Sequence, residues 1–195
     1  MTDAAAVSAG VMTLDEFIRR SDQEGPFEIL DGEIVPKMAT VMGHGNVADN
    51  LSWAFNQHIR PTALGKVYTE APYVLSYTQN WVKGARIPDL MFVSAERLKA
   101  YQESEPEWQS KPLVMVPDLV VEIVSPNDTF NDIDKRVIRY LSDGVKLIWV
   151  VNPQTKTVVV HTLGSEQQQK LSGDATLTGG GVLPDFQLKL SDLFA

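Results

Sequence analysis

The sequence predicts an α/β domain in which helices flank a mixed β-sheet, with an N-terminal helix and a β-hairpin ahead of the sheet. Three observations predict it. Apolar runs of strand length alternate with segments of helical periodicity. A strand, a helix and a second strand follow one another over residues 118–152, which is the order of a βαβ unit. Asp31 and Gly32 separate two short alternating runs, which is a strong hairpin signal.

Local signals place the elements of the N-terminal half. Thr13 and Glu16 form a capping-box pattern, which starts a helix. Asp31 and Gly32 join the two strands of the hairpin. Apolar residues then recur at helical spacing until Pro61 ends the segment. In chain order, these signals predict a helix over residues 14–21, hairpin strands over 27–30 and 33–35, a helix over 46–60, and strands over 66–69, 72–77 and 86–93.

The C-terminal half continues the alternation. Residues 119–124 are apolar except for Glu122, which is typical of a strand buried on both faces. Gly144 stops the helix before the next buried strand. After Gly164 the tail is polar until an apolar stretch over 188–194, which we expect to pack on the body. In chain order, this half contains a helix over residues 94–102, a strand over 119–124, a helix over 131–142, and strands over 146–152 and 156–162.

Composition narrows the class of protein. The chain has 195 residues, 44% of them hydrophobic, and no cysteine. We expect residues 1–11 to be a flexible leader and residues 12–195 to be a single domain. No segment resembles a signal peptide or a membrane span, and the absence of cysteine favours a reducing compartment, so we expect a cytoplasmic protein. The net charge of −8 argues against strong, non-specific DNA binding, although it permits an enzyme that reaches a few phosphates through a metal ion and local basic side chains.

Two acidic residues lie at the edge of, or inside, apolar strands. Glu122 is costly to bury unless it is paired or bound to a metal, and Asp89 opens its strand directly after Pro88. If the two strands are neighbours, both carboxylates, the backbone carbonyl of Ile123 and water form an oxygen site suited to Mg²⁺ or Mn²⁺. Asp118 lies about 13 Å from Glu122 along a strand, so it cannot share that ion. The alternative for Glu122 is a strand end that reaches water or an ion pair with an arginine.

Five stretches carry a resemblance to a known family: residues 27–33, 44–45, 86–90, 117–126 and 144–153. In these stretches the chain resembles the PD-(D/E)XK nuclease superfamily and, more narrowly, its Uma-type family of restriction-endonuclease-like proteins. The resemblance implies a restriction-endonuclease-like fold and a Mg²⁺-dependent endonuclease that acts on DNA. It also implies a homodimer and a metal site at Asp89 and Glu122.

The chain departs from the superfamily pattern at the position where the superfamily carries a lysine two residues after the acidic residue. Val124 stands where the Glu-X-Lys pattern expects lysine. In the Uma-type family the lysine lies on the next helix, four residues before a tyrosine, and counting back from Tyr140 gives Arg136, with Lys135 beside it. Helical geometry places Arg136 on the flank of the apolar face, whereas Lys135 and Arg139 point toward water. Arg136 is therefore the better catalytic candidate and Lys135 the second, although an arginine cannot act as a base.

Three further residues belong to the resemblance. Glu28, in the hairpin, is a catalytic candidate if it faces the metal site, and otherwise an exposed strand residue. His44 is a candidate for binding substrate or metal, and otherwise caps the following helix. Arg86 is a candidate substrate contact.

Three functions remain open at this point. The first is a metal-dependent endonuclease acting on DNA. The second is a catalytically degenerate member of the fold that serves as a binding or structural homodimer, which the arginine at position 136 and the net charge of −8 favour. The third is a metal-dependent hydrolase of a small phosphorylated substrate, which suits an acidic protein.

Overall fold

The computed structural model describes residues 7–8, 12–38 and 40–195. Its helices are α1 (Leu14–Glu24), α2 (Met42–Thr62), α3 (Ala95–Ser104), α4 (Phe130–Asp143) and α5 (Leu190–Leu193), with a 3-10 turn at Trp108–Ser110. Its strands are β1 (Val7–Ser8), β2 (Phe27–Leu30), β3 (Glu33–Pro36), β4 (Gly65–Thr69), β5 (Tyr73–Val74), β6 (Ala85–Arg86), β7 (Leu90–Ser94), β8 (Leu119–Ile123), β9 (Leu147–Asn152), β10 (Thr157–Thr162), β11 (Gln169–Leu171), β12 (Thr176–Gly179) and β13 (Leu183–Lys189).

A six-stranded mixed sheet forms the centre of the fold, in the order β11-β10-β9-β8-β7-β4. Strands β8 and β9 are parallel and are connected through α4, whereas the other neighbouring pairs in this sheet are antiparallel. This arrangement confirms the mixed sheet with flanking helices and the strand–helix–strand unit that the sequence predicted.

The two faces of the central sheet are covered by different layers. On one face, Leu119, Val121 and Ile123 pack in a core that includes α2, α5 and the β12–β13 hairpin. On the other face, Val120 packs in a core that includes α4. Strand β8 is therefore buried on both faces, as its apolar run predicted. Because side chains alternate along a strand, Glu122 projects toward the α4 face.

A smaller sheet in the order β1-β3-β2-β6-β5 carries the predicted hairpin. Asp31 and Gly32 both adopt positive φ angles, 53° and 82°, as a two-residue hairpin turn requires. Helix α1 begins after Thr13, whose side chain accepts a hydrogen bond from the backbone N–H of Glu16, so the predicted N-terminal cap is present. The hairpin and α1 thus form as the local sequence predicts.

Helix α2 differs from its prediction at both ends. It begins at Met42, several residues before the predicted start, so His44 lies within its first turn and does not cap it. It also continues through Pro61 to Thr62. A proline in the last turn removes only one intrahelical hydrogen bond, which explains why the helix does not stop before it.

Two strand predictions also differ from the structure. The single strand expected over 86–93 is divided into β6 and β7, because Pro88 lies between them and has no N–H to donate to a ladder. The polar tail after Gly164, for which no strand was predicted, forms β11 and the β12–β13 hairpin. Its apolar end packs on the body as expected, through the buried leucines of α5.

Most of the leader predicted over 1–11 lies outside the described residues. Its one described part, Val7–Ser8, pairs with Glu33 and Ile34 of β3. The single domain over 12–195 stays a prediction. No helix in the described part of the chain has both the length and the apolar composition that a membrane crossing demands.

Candidate active site

Asp89 immediately precedes strand β7, and Glu122 lies on strand β8, the neighbour of β7 in the central sheet. Strand β7 pairs with β8 in an antiparallel register that joins Leu90 to Val121. The same register extended by one residue places Asp89, just before β7, opposite Glu122. Both residues are only 2% exposed. The sheet thus buries two carboxyl groups side by side, facing α4.

Three donors surround Asp89. The backbone N–H of Ile123 donates to its Oδ2 at 2.7 Å, and Nε2 of His44 lies 3.1 Å from the same oxygen. Nζ of Lys37 donates to Oδ1 at 3.0 Å and to the carbonyl oxygen of Ile87 at 2.8 Å. Burial opposes ionisation, but the hydrogen bond from His44 and the charge of Lys37 outweigh it and hold the pKa of Asp89 below its ordinary value. Asp89 is therefore ionised in the folded protein at neutral pH.

Glu122 has different partners on the opposite side. The hydroxyl of Tyr140 donates to its Oε1 at 2.5 Å, and Nη1 of Arg136 donates to its Oε2 at 3.3 Å. The guanidinium of Arg136 also contacts Oδ1 of Asp128, at 3.0 Å. Burial, followed by the negative charge of Asp89, raises the pKa of Glu122 to about 7. The two carboxyl groups are therefore close enough to repel each other electrostatically.

Both carboxyl groups open into one cavity of about 260 Å³ between the β2–β3 hairpin, the start of α2 and the start of α4. Glu28 reaches it from β2, and its Oε1 accepts a hydrogen bond from the backbone N–H of Ile87. Four acidic and two basic side chains line this cavity, a formal net charge of −2 when every carboxyl group is ionised and His44 is not counted: Glu28, Asp89, Glu122, Asp128, Lys37 and Arg136. This lining favours a divalent cation.

The structure brings together most of the residues that the sequence singled out. Glu28, His44, Asp89, Glu122, Ile123 and Arg136 all line the same cavity. Arg136 contacts Glu122 from the flank of the apolar face of α4, where helical geometry placed it. Its contact with Glu122 is also the ion pair that the alternative interpretation of Glu122 described.

Arg86 and Lys135 do not line this cavity. The guanidinium of Arg86 is buried beside the carboxylate of Asp143, with Nε 3.1 Å from Oδ2. Lys135 is exposed on another side of α4, as its position on the helix predicted. Arg139, expected to point toward water, instead contacts Asp31 at 3.2 Å. Arg86 and Lys135 both line a second cavity, so neither reaches the two carboxyl groups.

Sequence reasoning missed two charged members of the cluster. Lys37 leaves the hairpin and reaches Asp89 across 52 positions of the chain, a separation for which no local pattern exists. Asp128 had a local signal, because its side chain accepts a hydrogen bond from the backbone N–H of Ser125 in a turn between β8 and α4. A serine followed three residues later by an acidic residue, whose side chain accepts from the N–H of the serine, is the sequence pattern of a capping box.

Comparison with known proteins places the chain in a family. The family model described as "Uma2: Putative restriction endonuclease" matches residues 14–191. The chain belongs to the Uma2 family. No curated protein matches it. A solved structure described as a "putative nuclease belonging to DUF820", from Anabaena variabilis ATCC 29413, aligns with this Uma2 chain at 20% identity and a TM-score of 0.75, covering 94% of this chain and 97% of the other. These matches confirm the Uma-type resemblance and the nuclease-like fold, and at this identity the solved structure shows the fold alone.

The acidic pair of this Uma2 protein fits a magnesium-type ion by its donor chemistry. Among the described residues, no group of three or more His, Cys, Asp or Glu side chains converges as a metal site. Mg²⁺ commonly needs only one or two carboxylates because it retains several water ligands. Asp89 and Glu122 supply two carboxylates, and the net charge of the cavity lining matches a divalent cation. Lys37 and Arg136 are the cations that such an ion would meet.

Proposed function

We propose that this protein is a metal-dependent endonuclease that hydrolyses phosphodiester bonds of DNA. One observation carries the proposal: two buried carboxyl groups, on adjacent strands, share one open cavity with an ammonium and a guanidinium group. Buried charges kept in an open cavity are costly unless they are used, so such a cluster indicates a functional site. Membership of a family described by nuclease activity supports the same reaction class.

Asp89 and Glu122 are the residues that would hold Mg²⁺ or Mn²⁺. When bound at such a site, a divalent cation supplies Lewis-acid chemistry, which polarises a phosphodiester and lowers the pKa of water. Ile123 donates its N–H to Asp89 and Tyr140 donates its hydroxyl to Glu122, so both carboxyl groups are oriented toward the cavity. These two donors act as positioning groups.

Arg136 and Lys37 supply fixed positive charge. For each, burial lowers the pKa but neighbouring carboxylates outweigh it, so the pKa stands above its ordinary value and the side chain stays protonated. A protonated side chain that lines the cavity attracts a phosphate and stabilises the negative charge that develops on it. Neither group removes a proton from water in this state.

The central experiment is plasmid cleavage with a matched control. Supercoiled DNA is incubated with Mg²⁺ or Mn²⁺ and the wild type, Glu122→Gln or Glu166→Gln, the last of which makes the same chemical change at an exposed position. We expect nicking by the wild type and by Glu166→Gln, and loss of nicking in Glu122→Gln. Absence of wild-type nicking, together with no Mn²⁺ binding in calorimetry, would contradict the proposal.

Arg136 motivates the alternative function. Its contact with Glu122 occupies the carboxyl group that a metal needs, as expected in a catalytically degenerate member of the fold. Arg136→Lys separates the two interpretations. In an active enzyme this variant retains or gains nicking activity, because the lysine of the superfamily is restored, whereas in a binding module it creates none. The homodimer that the resemblance implies stays a prediction.

A further inference from the structure

A second cavity, of about 640 Å³, lies beside the candidate active site on another side of α4. Four basic and two acidic side chains line it, which gives a net charge of +2 in a chain whose net charge is −8. We call this cavity the basic groove. Its charged residues are Lys83, Arg86, Lys135, Arg139, Asp31 and Asp143.

The basic residues of the groove differ in how far they are neutralised. Arg86 forms the buried floor and is held by Asp143, although its Nε makes no hydrogen bond of good geometry. Arg139, whose side chain is 22% exposed, contacts Asp31, whose side chain is 85% exposed, so solvent screens this pair. Within residues 12–38 and 40–195, neither Lys83 nor Lys135 has a carboxylate within 4.0 Å. The groove therefore presents positive charge that this part of the chain leaves uncompensated.

The groove and the active-site cavity share two walls. Helix α4 presents Arg136 to the active site and Lys135 to the groove. Strand β2 and its turn present Glu28 to the active site and Asp31 to the groove. Arg139 is three residues after Arg136, which corresponds to about 4.5 Å along the helix axis. Positive charge thus continues along α4 from the active-site cavity to the groove.

We propose that the basic groove binds backbone phosphates of the DNA strand that flank the bond at the active site. This inference rests on the proposed function and names the part of the surface that holds its substrate. It explains how an acidic protein retains a polyanion, because local rather than total charge determines phosphate contacts. It also assigns a binding role to Arg86 and Lys135, which lie away from the two carboxyl groups.

Binding is measured without catalysis, by fluorescence anisotropy of a labelled 20-base-pair DNA duplex in EDTA over a range of salt concentrations. The test variant is Lys83→Ala with Lys135→Ala. Its control is Lys66→Ala with Lys170→Ala, which removes two exposed lysines outside the groove. Each phosphate contact contributes about one unit to the salt slope and about eightfold at 0.1 M salt, so we expect the test variant to bind about 10- to 60-fold more weakly, with a slope lower by about two.

The outcomes separate the groove from the catalytic proposal. Equal DNA affinity of the test and control variants, or no measurable DNA binding by the wild type, would refute the proposal that the basic groove binds phosphates. Wild-type hydrolysis of bis(p-nitrophenyl) phosphate with Mn²⁺ tests the active site separately, because this small diester needs no flanking phosphates. If the wild type cleaves neither this diester nor plasmid DNA, the proposed catalytic function is refuted. A selective loss of DNA binding in the test variant would still support phosphate binding by the basic groove.

Discussion

Replacing Lys37 by methionine removes the ammonium group that faces Asp89. This ammonium lies 3.0 Å from Oδ1 of Asp89, and the side chains of the pair are 21% and 3% exposed. Removing one partner of a buried pair typically costs about 3–5 kcal/mol. Asp89 keeps its contacts with Ile123 and His44, and water reaches part of Lys37, so we expect a smaller loss of about 2 kcal/mol in the free energy of unfolding without metal. For a chain of this length, that loss corresponds to a decrease in Tm of about 4–8 °C.

The same substitution should strengthen metal binding. The ammonium of Lys37 and a divalent cation compete for the charge of Asp89, so the methionine variant is expected to bind Mn²⁺ about tenfold more tightly, which corresponds to about 1.4 kcal/mol. Calorimetry measures the affinity, and thermal unfolding in EDTA and in Mn²⁺ measures the stability. Lys37→Arg is the matched control, because it keeps the positive charge and should remain close to the wild type in both measurements.

Two results would refute this reasoning. A Lys37→Met variant that is as stable as the wild type in EDTA would show that Asp89 does not depend on the ammonium group. A lower Mn²⁺ affinity in that variant would show that Lys37 assists the cation instead of competing with it.

Three further predictions concern stability. The pKa of Glu122, raised by burial and by Asp89 from 4.5 to about 7, means that the folded protein retains a proton that the unfolded chain releases. Stability in EDTA, measured by urea unfolding, should therefore decrease as the pH rises from about 4.5 to about 7, and Glu122→Gln should reduce this slope. Asp118→Asn should lower the free energy of unfolding by about 3 kcal/mol, because its buried carboxylate lies 2.8 Å from the cationic groups of both Arg97 and Lys146. A loss below about 1 kcal/mol would show that these two ion pairs contribute little to stability. Gly65→Ala should lower the free energy of unfolding by about 3 kcal/mol, because the new Cβ would overlap the carbonyl oxygen of Val93. An unchanged midpoint of urea unfolding would show that the edge of the sheet relaxes to accommodate the Cβ.

The sequence predictions that agree with the structure rest on local periodicity. An apolar run interrupted by Glu122 predicts a buried strand, and the 3.6-residue period of α4 separates Arg136 from Lys135 without knowledge of the fold. The shared position of Asp89 and Glu122 needed more, namely the pairing of β7 with β8, which the family resemblance implied.

Local periodicity did not predict long-range contacts or irregular strands. The approach of Lys37 to Asp89 depends on where the hairpin lies relative to the central sheet. Strand β13 was missed because Pro184 and Asp185, the latter with a φ of 60°, interrupt its two-residue alternation of buried and exposed residues, and strand β12 is only four residues long. Arg86 lines the second cavity and not the first because Pro88 divides the predicted strand, which separates Arg86 from the strand that follows Asp89.

The antiparallel pairing of β7 with β8 determines which connecting segments tolerate a change in length. Asp89 precedes one strand and Glu122 lies near the end of the other, so residues 95–118 leave and re-enter the sheet at the opposite end from the acidic pair. Insertions in that connection would lengthen a loop remote from the carboxyl groups, at a small entropic cost. Residues 124–129 have no such freedom, because they carry Asp128 into the cavity. Variation in length among natural or engineered versions of this chain should therefore concentrate in the first connection and be rare in the second.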